Sequence, residues 1–241
     1  MKSLRTVIGI HSTLEALKVR PQKVVQMWIK KEAEKSAHQY EEALSIAKKN
    51  KIKVQFIHSQ QLDRWGRGHQ GIAVEVNETP QIDWKKLSQK SRVVLLALDG
   101  LEDPQNLGAI FRTAWLMGVD GLIISETRSV GLTPTVSKVA SGGVEHLPVE
   151  FCSQLAPKLS DLKEEGYWVY GLHHESPKEV SEVIFAEKTV LILGAEGQGL
   201  RGGTKKVCDE LVRLPQVDAH ASYNVSVAGA MITYEVCRQK K

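Results

Sequence analysis

Val93 to Leu98 (VVLLAL) is an apolar run without a single polar interruption. Such a run suits a strand covered on both faces, which is the habit of parallel sheets whose crossovers are helices. The chain after it keeps alternating. Leu107 to Met117 has a helical pattern that stops at Gly118, and Gly121 to Ser125 reads as the next strand. Thr135 to Ala140 is a short helix stopped by Ser141-Gly142-Gly143, and residues 153–165 form an amphipathic helix. Trp168 to Leu172, Thr189 to Leu193 and Leu211 to Leu214 read as further strands, before a last helix from about Asn224 into Arg238-Gln239-Lys240-Lys241. The expected class is α/β with a parallel sheet over residues 92–241.

In such sheets ligands gather where strand ends release the chain into loops. Three stretches have that form: Leu98 to Ile124, Leu191 to Leu200, and Leu211 to Glu235. In the third, Asn224 is a natural N-cap, since its side-chain oxygen can accept an orphan backbone N–H. The helix it opens (VSVAGAMITYEV) carries Gly229 in its interior. Gly costs about 1 kcal/mol against Ala there, so close packing is its expected reason.

Residues 1–78 read as a smaller α/β domain. Ser12-Thr13-Leu14-Glu15 opens a helical pattern ended near Pro21. Val24 to Ile29, Val54 to His58 and Gly71 to Val76 read as strands, with a helix over Ala37 to Asn50. Between the last two strands, a Gly-rich loop holds Arg64, Trp65 and Arg67, which suits stacking on an RNA base and holding phosphates, or equally a mobile loop with a buried Trp. Residues 79–91, broken by Pro80, form the linker. Charge is unevenly placed: residues 1–90 hold 17 Lys/Arg and 9 Asp/Glu, the remainder 15 and 19, for an overall +4. A basic front half is what a polyanion partner needs.

The start lacks a signal-peptide pattern and no stretch is apolar enough to span a membrane, so a cytoplasmic protein without membrane partners is expected. Cys152, Cys208 and Cys237 are far apart and fit no metal-ligand spacing, so free thiols and no metal are expected. A nicotinamide-dependent oxidoreductase is disfavoured, because the first strand of the large domain is followed by DGLEDPQNLGAIFR, without G-x-G-x-x-G. The glycine-rich GAEGQG at Gly194 to Gly199 carries Glu196 and no Lys-Ser/Thr, and a carboxylate repels a pyrophosphate.

These stretches resemble the three motifs of the SpoU-type RNA ribose 2′-O-methyltransferases. The first is Asn106-Leu-Gly-Ala-Ile-Phe-Arg112. The second is Gly194-Ala-Glu196-Gly197-Gln-Gly199-Leu200. The third is Ser222-Tyr-Asn224-Val-Ser226-Val-Ala228, with Tyr234-Glu235 beyond. Ile8 to Leu17 and His69 to Val76 resemble the substrate-binding domain that precedes the catalytic one, so the likeness covers nearly the whole chain. It is nearest to the guanosine 2′-O-methyltransferases of large-subunit ribosomal RNA.

The resemblance implies a catalytic domain threaded as a deep trefoil knot, a homodimer, and S-adenosylmethionine as cofactor, held mainly by backbone at Gly194, Leu214 and Tyr223. It places Arg112 at the centre of catalysis, as base or as a clamp on the adjacent phosphate. A guanidinium holds its proton tightly, which makes the bidentate clamp physically easier. Asn106 and Glu196 would orient Arg112 or the ribose, and Ser222 and Asn224 would bond near the substrate. Arg64 and Arg67 would bind RNA. The chain departs from the family at Gln216, Asp218 and Tyr223, where a Met and a Gly commonly precede Ser-Leu-Asn. Asp218 brings a carboxylate near a cationic cofactor, and would be strained were φ positive there. A transfer RNA methyltransferase, or an RNA-binding assembly protein that retains the fold, are the other readings.

Overall fold

The apolar run at Val93 becomes β5 (Val93–Asp99), buried along its whole length in a computed structural model that describes residues 4–32, 37–195, 197–218 and 221–239. Contacts group the chain into two compact units, Met1–Pro80 with Gly131–His146, and Gln81–Val130 with Leu147–Lys241.

The second unit is built on one six-stranded sheet. Around β5 lie β6 (Gly121–Ser125), β7 (Val149–Cys152), β8 (Trp168–Leu172), β9 (Lys188–Gly194) and β10 (Glu210–Val212), in the order β10-β8-β9-β5-β6-β7. Every pairing is parallel, so the strand ends after Asp99, Ser125 and Gly194 open on one edge. Helices α5 (Pro104–Met117), α8 (Leu155–Glu164) and α10 (Val225–Gln239) supply crossovers and cover. The expected linker holds a short helix, α4 (Trp84–Ser88), started by an Asp83 side chain that accepts the Lys86 N–H. The short α9 (Gly202–Val207) and the four-residue β7 were not expected from the sequence. The core of one face joins Leu95, Ala97, Ile123, Val190 and Ile192 to Leu155, Leu159 and Leu162 of α8.

The first unit has a four-stranded sheet in the order β1-β4-β2-β3, made of β1 (Leu4–Ile8), β2 (Val24–Lys30), β3 (Lys53–Ile57) and β4 (Ile72–Asn77). β4 runs antiparallel to both neighbours, while β2 and β3 are parallel. Helix α1 (Ile10–Val19) starts earlier than Ser12: Gly9 turns the chain with φ +89°, and Ser12 and Thr13 are buried inside the helix. There the Ser12 hydroxyl donates to the Ser137 carbonyl at 2.8 Å instead of capping. The helix expected over Ala37 to Asn50 divides into a 3₁₀ turn at Ala37–Tyr40 and α2 (Glu41–Lys49), and a four-residue helix, α3 (Ser59–Leu62), follows β3.

Residues 131–146 carry α6 (Pro134–Val139) and α7 (Gly143–His146), which pack beside β1 and α1. Arg5 on β1 pairs with Glu145 on α7 at 2.5 Å, with both side chains nearly sealed from water. His146 and Glu15 approach to 2.7 Å. Residues more than a hundred positions apart thus close one unit. Among the described residues, no helix is long and apolar enough to cross a membrane.

Candidate active site

β9 ends at Gly194, and the chain folds back at once. Ala195 and Gly199 exchange two backbone hydrogen bonds, 3.1 and 2.9 Å long. Gly197 and Gly199 take left-handed φ values of +74° and +65°, which glycine adopts without the Cβ penalty. Gly194 has a different reason to be glycine. A Cβ there would run into the carbonyl group of Gly199 and lie 2.5 Å from the Leu200 nitrogen. Gly199 and Leu200 therefore lie close against the strand end, backbone on backbone.

Beside this fold-back is a cavity of about 670 Å³. Gly194, Leu214, Ser222, Tyr223 and Asn224 all line it, with Gln216 and His174. The Tyr223 hydroxyl donates to the Pro215 carbonyl at 2.9 Å, which closes the loop between β10 and α10. Asn224 caps α10: its Oδ1 accepts the Ser226 N–H at 3.0 Å and the Ser226 hydroxyl at 2.6 Å. Loss of that cap in Asn224→Ala is expected to cost about 1 kcal/mol, read by denaturant unfolding. Glu235, later in the same helix, is held by the Arg238 guanidinium through 2.8 and 2.6 Å bonds, with Gln239 as a further donor. Arg238, then Gln239, bring its carboxyl down to about 2, so it supports the helix as an anion.

The first motif lies on α5, whose N-cap Asp103 accepts the Gln105 N–H and whose first residue is Pro104. Asn106 is buried in the first turn, whereas Arg112 is exposed. Six residues at about 100° each place them about a third of the helix circumference apart. No hydrogen bond or ion pair engages the Arg112 guanidinium among the described residues. Neither Asn106 nor Arg112 lines the cavity. Their helix nevertheless packs on α10, where a Cβ on Gly229 would lie 2.7 Å from Leu193 Cδ1 and 3.9 Å from Ile110 Cγ1. The small residue in α10 thus lets β9, α5 and α10 meet, through side chains and not through a second backbone.

Glu196 lies outside the described residues. Asp218 is not among the described residues with left-handed backbone, so the strain a glycine would relieve does not arise there. Two residues escaped sequence reading. His174 lines the cavity, and His173 stacks on it with centroids 5.1 Å apart. Burial, then the Lys205 ammonium 3.1 Å from its Nε2, lower the His173 pKa, which keeps its ring neutral at neutral pH. Nothing in the run LHHESP marks it beyond the pairing of two histidines.

In the first unit, Arg64 sits with its guanidinium 4.0 Å from the Trp65 ring centre, and Trp65 packs on Trp28 at 4.7 Å. Trp65 is half-buried and Arg64 and Arg67 are exposed. The loop is braced by buried His69, which accepts the Gly71 N–H at 2.8 Å and faces Asp63 at 3.3 Å. Cys152, Cys208 and Cys237 form no disulfide among the described residues. Burial, foremost, pushes the Cys152 and Cys208 thiols up to about 11. Both are expected to resist iodoacetamide at pH 7.5 in the folded protein and to react on unfolding; fast labelling in the native state would contradict their burial.

Comparison with known proteins shows the family. Residues 93–234 match the family model of the SpoU rRNA methylases, and residues 6–81 match that of the RNA 2′-O ribose methyltransferase substrate-binding domain. The 23S rRNA (guanosine-2′-O-)-methyltransferase RlmB of Pseudomonas putida is 34% identical over 100% of this chain and 99% of its own. That of Pseudomonas aeruginosa is 37% identical over 100% and 98%. Among solved structures, the SpoU methyltransferase AviRb of Streptomyces viridochromogenes, crystallised with AdoMet, superposes with a TM-score of 0.83 at 19% identity, covering 98% of this chain and 90% of that one. The chain belongs to the SpoU rRNA methylase family, the S-adenosylmethionine-dependent RNA 2′-O-ribose methyltransferases.

Proposed function

We propose that this protein methylates the ribose 2′-hydroxyl of a guanosine in large-subunit ribosomal RNA. The observation that carries the reading is the convergence of Gly194, Leu214, Ser222, Tyr223 and Asn224, from two separate motifs, on one cavity. Its chemistry fits S-adenosylmethionine. Leu172, Leu193, Leu214 and Ala228 would give an apolar wall for its adenine, and the backbone at Gly194 with Ser222, Tyr223 and Asn224 would supply partners for its polar groups. When bound, the cofactor supplies an electrophilic methyl group. The chain's part is then to hold the 2′-oxygen in line and to help its proton leave.

Arg112 is the group for the RNA side. Its guanidinium is exposed and free of internal partners among the described residues, as a phosphate clamp must be. Asn106 and Glu196 orient the clamp or the ribose, and Ser222 and Asn224 shape the loop between cofactor and substrate. Residues 1–78 bind substrate, with Arg64 and Arg67 on phosphates, residues 79–91 link, and residues 92–241 form the methyltransferase domain, its C-terminal part threaded as a trefoil knot. Val227, Met231 and Tyr234 leave an exposed apolar stripe on α10, spaced for one helix face. A second copy covering that stripe makes the working form a homodimer. The cell compartment proposed is the cytoplasm, where ribosomal RNA is met.

Nucleoside analysis tests the target. Large-subunit RNA treated with the protein and cofactor is expected to yield 2′-O-methylguanosine. A methylated pyrimidine, or label only on transfer RNA, would overturn the assignment.

A further inference from the structure

A second cavity, about 520 Å³, opens at the same sheet edge, between the ends of β5 and β9. Ala195 and Gly199 line both cavities, so whatever occupies the second one lies next to the cofactor's. Its volume is in the ~300–1,000 Å³ range of small-ligand pockets, and its lining is charged.

The charged side chains are not equivalent. Asp103 is engaged as the N-cap of α5. Arg201 is engaged on three sides. Its N–H donates to buried Asp99 at 2.9 Å, its Nε lies 3.5 Å from the other Asp99 oxygen, and its guanidinium donates to the Thr127 carbonyl at 2.5 Å. A Cβ on Gly100 would lie 2.6 Å from that guanidinium. The group is thus pinned over the Gly100 backbone, a fixed plane at the cavity wall. Glu102 and Arg128 are the opposite case: both are exposed, and among the described residues neither makes a hydrogen bond or ion pair. Arg128 holds a left-handed φ of +54°, an uncommon conformation for a side-chain-bearing residue and a mark of constraint at functional positions.

A plane, an unengaged carboxylate and an unengaged guanidinium together describe a ligand. Single-stranded bases are read by stacking on arginine planes and by bonds to their exposed edges. A carboxylate accepts and cannot donate, so it wants two adjacent donors. Among the four bases guanine alone offers that pair, N1–H beside the N2 amine. Its O6 and N7 acceptors suit a guanidinium. We propose that this cavity receives the target base, with Arg201 as stacking plane, Glu102 reading the N1–H and N2–H₂ edge of guanine, and Arg128 facing O6 and N7. This rests on the guanosine reading above.

The test compares two RNAs that differ only in guanosine or inosine at the target ribose, inosine lacking the N2 amine. The full-length protein is expected to methylate the inosine RNA at least about tenfold more slowly, the loss of one charge-assisted bond. Glu102→Ala and Glu102→Gln are expected to bring the two rates within about threefold, chiefly by raising the KM for guanosine RNA, with cofactor affinity unchanged by calorimetry. An unaltered guanosine-to-inosine ratio in Glu102→Ala overturns the edge assignment while guanosine methylation stands. A wild type that does not discriminate, or a collapse of cofactor affinity in Glu102→Ala, overturns it too. Label on a pyrimidine ribose instead overturns the guanosine reading itself, and the edge assignment with it.

Discussion

Arg112→Ala is expected to lower methyl transfer by about a hundred- to a thousandfold while leaving cofactor affinity and oligomeric state as they are. The size follows from the role proposed for Arg112 as a charged donor to the RNA, since one lost electrostatic contact at a reacting region typically costs about 10²–10³ in rate. The selectivity follows from position: Arg112 is exposed and outside the cavity proposed for the cofactor, so fold and cofactor binding are expected to survive its loss. Arg112→Lys separates clamp from simple charge, since an ammonium cannot offer two parallel N–H donors to a phosphate. Single-turnover rates at saturating RNA, with calorimetry for the cofactor, give both readouts. Retained turnover in Arg112→Ala would remove the residue from the mechanism.

The second large effect lies on the other side of the reaction. Gly194→Ala is expected to abolish measurable cofactor binding, a loss of at least about a hundredfold, with about 1–3 kcal/mol of destabilisation. The atoms that a methyl group would meet there are backbone atoms of Gly199 and Leu200, which cannot rotate aside as a side chain does. The Ala195–Gly199 fold-back must then lift from the strand end, and the cavity it lines changes shape. Gly203→Ala is the control, since a Cβ there meets nothing within 4 Å. If Gly194→Ala bound cofactor like the parent, the fold-back would not be what shapes the cavity.

Much of the large unit was legible because its strands carry an unambiguous pattern. β5 and β6 are buried at every position, and buried strands read as apolar runs. Helix α10 was legible at its start, from the Asn224 cap; Lys240 and Lys241, where the sequence expects it to end, lie outside the described residues. Elements that fell below any period were missed. β7 spans four residues, and α9 (GGTKKV) buries only Thr204. The start of α1 was misjudged because Ser12-Thr13 resembles a cap, whereas the structure uses them as small buried residues under Ser137. That choice is tertiary: it exists only because residues 131–146 pack with the first sheet, and no local pattern announces an ion pair between Arg5 and Glu145.

The site was legible in its parts and not in their division of labour. The family resemblance points to Gly194, Leu214, Ser222, Tyr223 and Asn224, and the five line one cavity. The resemblance pairs Asn106 with Arg112, yet the helix puts one in the core and the other in solvent. The second cavity went unseen because it depends on Arg128 and Arg201, whose neighbours in sequence say nothing of the Asp99 carboxylate and Thr127 carbonyl that fix Arg201.

The most direct measurement is transfer of labelled methyl from S-adenosylmethionine to total RNA from a strain lacking this protein, followed by mapping of the labelled nucleotide. Label on a single guanosine ribose of large-subunit RNA is the predicted result. RNA retained on the protein with no label transferred would contradict it, and would make the chain an RNA-binding protein that keeps the fold without the reaction.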